Sequence, residues 1–166
     1  MCLRCAGLSD AAVADHYARM IDEHGWAAIG VTAEVPWMYT VGLRWRLDHP
    51  ELVVIGVDPT DAHDLLRDIV DRIEDGETAC AGARMALPGL EVEFGHVDHR
   101  NLLGEWFAQW HPVARGCGQG TTSLRALQVR VDQLDDCDAC FERQRALERP
   151  CSVDSLVGVR HSGSPS

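Results

Sequence analysis

The chain has 166 residues, is 46% apolar and carries a formal charge of −11, with arginine supplying all 15 basic residues. That size and apolar share suit one globular domain with its own core, and no run approaches the roughly 18 apolar residues of a membrane span. The acidic balance repels phosphate backbones, so little direct nucleic-acid contact is expected and a basic protein partner fits better.

In chain order, Ser9 is an N-cap for a first helix whose apolar stripe is Val13, Tyr17, Met20 and Ile21, with Gly25 placed as its C-terminal cap. Three extended runs follow, Trp26 to Thr32, Trp37 to Leu43 and Leu52 to Val57, and their short connections predict an antiparallel meander. Asp58 and Pro59 then open a second helix with Ala62, Leu65, Leu66, Ile69, Val70 and Ile73 on its buried face, closed by Gly76. After a Gly- and Ala-rich crossing that holds Cys80, Leu90, Val92 and Phe94 alternate with glutamates as a half-buried strand.

A third helix is predicted from an Asp98 cap to His111, stopped by Pro112. Arg115 to Thr122 is a glycine-rich loop containing Cys117, and Leu127, Val129 and Val131 form a last strand, alternating with Gln128 and Arg130. Asp135 or Asp136 opens a short charged helix that carries Cys137 and Cys140. The expectation is a single α+β domain over residues 1–160, a largely antiparallel sheet flanked by helices, with a disordered tail at 161–166.

The chemistry lies in the cysteines. Two Cys-x-x-Cys pairs, Cys2/Cys5 and Cys137/Cys140, stand near opposite ends, and a two-residue spacer lets both thiolates of a pair reach one ion. If the pairs converge they make a closed four-thiolate Zn2+ site. Cys151, Cys117, His96, His99 and His111 are alternative ligands. His96 shares strand parity with Val92 and Phe94 and is expected to face the core, His99 to start a helix, and Cys80 and Cys117 to pack as small residues. Redox chemistry at Cys137/Cys140 is the competing use, because a helix N-terminus favours a thiolate, although Asp135, Asp136 and Asp138 oppose it. Tyr39, His49 and Glu51 form a candidate cleft, since a His and a carboxylate two residues apart can do acid–base work; the bland alternative is a tight turn with a hydrogen-bonded His. Gly116 to Gly120 lacks the ending of a phosphate loop.

Several stretches, among them Cys2-Leu3-Arg4-Cys5, His24-Gly25-Trp26-Ala27, Pro36 to Leu43, His49 to Val54 and Arg125 to Val129, resemble a bacterial family catalogued as domain of unknown function 4262. The resemblance spans roughly residues 1–131 and implies a small cytosolic α+β protein with no established reaction. After Val131 the chain departs from the family pattern, so the second cysteine pair reads as a specialisation of this branch.

The opening Met1 to Cys5 has no apolar signal region, so a cytoplasmic location is expected, where seven cysteines suit ligands better than a disulfide framework. The functional expectation is a non-catalytic, zinc-binding adaptor or regulatory protein that docks a basic partner. One version is a zinc-responsive translation or ribosome-hibernation accessory factor, ribosome-associated through basic ribosomal proteins. The alternatives are a thiol–disulfide redox protein and a metal-free immunity-type binding protein.

Overall fold

A computed structural model describes residues 7–131 and 146–149. Its first helix, α1 (Asp10–His24), begins where Ser9 Oγ accepts the Ala12 N–H and ends at Gly25, whose φ of 87° directs its N–H back to the Ile21 carbonyl. The meander follows as expected: β1 (Ala27–Val31), β2 (Trp37–Val41) and β3 (Glu51–Ile55) pair antiparallel. A four-residue helix, α2 (Leu43–Arg46), fills the β2–β3 connection, where the sequence reading continued the strand to Leu43.

The next helix, α3 (Pro59–Glu74), has the cap, proline and stripe read from the sequence; Asp58 accepts the Thr60 N–H, and Ala62, Leu65, Leu66, Ile69 and Val70 are buried. Its four large aliphatic residues contribute roughly 1.5–3 kcal/mol each by burial, against a few tenths from any surface ion pair, so packing of this face holds the helix.

The Gly- and Ala-rich crossing contains a strand, β4 (Arg84–Leu87), that makes a hairpin with β5 (Leu90–His96). The predicted third helix is broken in three: α4 (His99–Leu102), a 3-10 turn at Glu105–Phe107, and α5 (Trp110–Gly116). Tertiary bonds divert the backbone groups that a continuous helix would pair. Trp37 Nε1 donates to the Trp106 carbonyl at 3.0 Å, and the Gln109 N–H donates to the Tyr39 hydroxyl at 3.2 Å. Pro112 sits in the first turn of α5, where its missing N–H has no intrahelical partner to lose, and so does not end the helix.

The last strand, β6 (Ala126–Val131), inserts between β3, which it meets parallel, and β5, which it meets antiparallel, giving the order β1-β2-β3-β6-β5-β4. This is one α+β domain built on a six-stranded, mostly antiparallel sheet. Trp37, Tyr39, Val53 and Ile55 pack on one face with α1, α5 and the 3-10 turn. Met38, Leu52, Val54, Phe94 and Val129 pack on the other with α3. Central position explains why β2, β3 and β6 are buried at every residue, Gln128 and Arg130 included.

A short turn at Ala146–Glu148 lies over the β5–β6 half of the first face. Leu147 is fully buried there; its N–H donates to Gln128 Oε1 at 3.2 Å and its carbonyl accepts from the Asp98 N–H and from Asn101 Nδ2. Beside it Arg130 reaches Glu93 at 3.2 Å and Glu148 at 3.0 Å. Among the described residues no helix is long and apolar enough to cross a membrane. The expected cysteine-bearing helix and the tail at 161–166 lie outside the described residues.

Candidate functional site

Glu51 heads an otherwise apolar strand, and its position at the mouth of the β2–β3 connection brings five donors onto one carboxylate. Oε2 accepts the Thr40 hydroxyl at 2.7 Å and the Leu43 N–H at 3.4 Å. Oε1 accepts the Gly42 N–H at 3.0 Å, the Arg44 N–H at 3.3 Å and Trp110 Nε1 at 3.1 Å. The first N–H groups of α2, which have no intrahelical acceptors, are thereby satisfied by a side chain. Burial pushes the Glu51 carboxyl up from 4.5 to about 7, while Thr40, Trp110, Gly42 and Arg44 pull it back down through their hydrogen bonds.

The geometry depends on two glycines. Gly42 has a φ of 119°, and a Cβ there would lie 2.9 Å from the Gly25 carbonyl oxygen and 3.0 Å from the Trp26 Cα. Gly25 in turn leaves the space that the Arg46 guanidinium occupies. The Glu51 N–H donates to the Arg125 carbonyl at 2.8 Å, so four of the stretches singled out in the sequence meet at one point.

Of the candidate cleft residues, Tyr39 is 1% exposed and Glu51 0%, so neither presents a surface to solvent. Burial raises the Tyr39 phenol strongly. Half-buried His49 places Nδ1 2.6 Å from the Pro50 carbonyl and Nε2 3.1 Å from the Ala79 carbonyl, which is the hydrogen-bonded turn of the plainer reading. The structure therefore brings Glu51 to Thr40 and Trp110, and gives Tyr39 and His49 backbone partners instead. Trp110 lies within the predicted third helix, where nothing in the sequence marks it as a donor; the signal for a partner is a glutamate opening the run Leu-Val-Val-Ile.

The metal candidates fall into two groups. Cys2, Cys5, Cys137, Cys140 and Cys151 lie outside the described residues. Among the described residues no group of three His, Cys, Asp or Glu side chains is placed to hold an ion. His96 corrects the parity argument: it continues the alternation of Val92 and Phe94 but falls at the strand end, past the edge of the core, and is exposed. His99 starts α4 as expected and His111 is exposed on α5. Cys80 is exposed rather than packed, whereas Cys117 is partly covered against the α1–α5 cluster, its thiol pushed up by burial and by Asp22.

An open concavity adjoins the Glu51 cluster. It holds about 950 Å³ between α1, α2 and the end of α5, with Asp15, Arg19, Asp22, Trp45, Arg46 and Cys117 around it. Trp45 packs against Trp110 at a ring separation of 6.0 Å, so the carboxylate that fixes α2 also fixes one wall of this groove.

A family model described as domain of unknown function (DUF4262) matches residues 20–133. No curated protein and no solved structure matches the chain.

Proposed function

From the premise that this chain belongs to the family of domain of unknown function DUF4262, we propose that it is a non-catalytic adaptor that recognises a basic protein partner and carries a structural Zn2+. The observation that carries the reading is the use made of the buried polar side chains. Glu51 satisfies the start of α2, and Gln128 and Asn101 fix the Leu147 turn. These groups hold the architecture, while the excess of 26 acidic over 15 basic residues is left to act at the surface.

The zinc half of the proposal rests on Cys2, Cys5, Cys137 and Cys140, whose spacing supplies four soft ligands; metal binding would then couple to folding of the segments that bear them. A ribosomal or ribosome-associated protein is the basic partner this version favours, and a cytoplasmic setting, where thiols stay reduced, suits the ligand set. Elemental analysis of protein purified without added metal should give about one equivalent of zinc, falling in Cys137→Ser. Less than about half an equivalent, unchanged in that variant, rejects the shared site.

A further inference from the structure

A second groove lies on the opposite side of the sheet, between the first half of α3 and the β4–β5 hairpin, and holds about 420 Å³. Leu65, Leu87, Leu90 and Val131 form its apolar floor, in which Leu90 is half-buried and the other three, each 8% exposed, are buried at the base. Asp61, Asp64 and Asp68 line the α3 side. Their spacing of i, i+3 and i+7 sets three carboxylates along one helix face over about 10 Å. Such neighbours repel one another, so the row weakens the isolated helix slightly while concentrating negative potential beside an apolar surface.

Local cations cancel this potential only in part. Arg67 approaches Asp64 at 3.0 Å and Asp68 at 3.7 Å, but its side chain is half exposed and the pairs are screened. His63 lies 3.8 Å from Asp64, and Asp61 has no ion pair among the described residues. Across α3 as a whole, five acidic residues stand against two arginines.

We propose that this groove docks a basic amphipathic segment of a partner protein, its apolar side chains on the leucine floor and its arginines or lysines against Asp61, Asp64 and Asp68. The proposal rests on the basic-partner reading above and gives it a location. Charge complementarity selects this occupant: the carboxylate row repels a nucleic-acid backbone, and the floor offers an apolar contact that a purely ionic ligand would not use. The groove beside α1 differs, because Arg19 and Arg46 share it with Asp15 and Asp22 and leave no single sign.

The test uses the full chain and a synthetic helical peptide with arginines at i, i+3 and i+7 flanked by leucines, with a glutamate counterpart as control, at physiological salt. Titration by calorimetry should show binding of the arginine peptide alone. The triple variant Asp61→Asn, Asp64→Asn, Asp68→Asn should weaken it about tenfold or more, while Asp15→Asn with Asp22→Asn stays within about twofold. Amide shift changes in the unaltered protein, which need no variant, should centre on 61–68 and 87–90. Equal losses in both variant sets, or shifts centred elsewhere, overturn the groove and leave the basic-partner reading standing. No binding of the arginine peptide by the unaltered protein overturns both.

Discussion

A carboxylate with five donors and no solvent contact sets a pH dependence whose sign is fixed by the direction of its shift. The folded-state value of Glu51, about 7, lies above its ordinary 4.5, so the native chain holds that proton more firmly than the unfolded one. Its contribution to stability is full below about pH 4.5 and is lost as pH rises through 7. Urea unfolding of the unaltered protein and of Glu51→Gln, compared at each pH, should show their stability difference falling by about 3 kcal/mol across that window. A difference that grows with pH would mean that the donors, not burial, control the group. The sequence showed a charged residue opening a buried strand, and the plainer reading of His49 as part of a hydrogen-bonded turn matches what the structure shows. The donor from Trp110 was not legible, because nothing in spacing links positions so distant along the chain.

At the scale of elements, signals that rest on local chemistry read through correctly. Asp58, Pro59 and the aliphatic stripe define α3, and Ser9 and Gly25 define α1, since caps and helical periodicity need no tertiary partner. Elements decided by long-range packing did not. The run from Asp98 to His111 has a helical apolar pattern, yet the hydroxyl of Tyr39 and the indole of Trp37 take up its backbone groups and break it. The strand β4 is four residues with exposed Arg84 and Ala86, too short for alternation to stand out, and α2 exists because Glu51 caps it. That last dependence is testable at Gly42, where any Cβ meets backbone at 2.9–3.0 Å and φ is 119°. Gly42→Ala should cost at least about 2 kcal/mol in thermal or urea unfolding, with Trp45 fluorescence altered in the folded state. An unchanged midpoint would show that α2 can be rebuilt without this approach of chains.

For the whole molecule, the sheet carries an apolar layer on each face, but the β5–β6 half of one face is closed by Leu147 with Gln128, Arg130 and Glu148 around it. Leu147 is completely buried, so Leu147→Ala should lower unfolding stability by about 2–5 kcal/mol, read from the urea midpoint at constant slope. A loss below about 0.5 kcal/mol would show that the turn is dispensable to the domain. The α+β class and the meander were legible because consecutive strands pair through short connections. The parallel union of β3 with β6 was not, since it joins positions far apart in the chain. It also orders events during synthesis. A nascent chain that has emerged only through α3 owns a three-stranded meander whose inner edge, Glu51 to Val54, still awaits its neighbour. That edge stays available to wrong pairings until Ala126 to Val129 leave the exit tunnel, so slow translation across the intervening hairpin prolongs the interval in which the protein is most prone to aggregate.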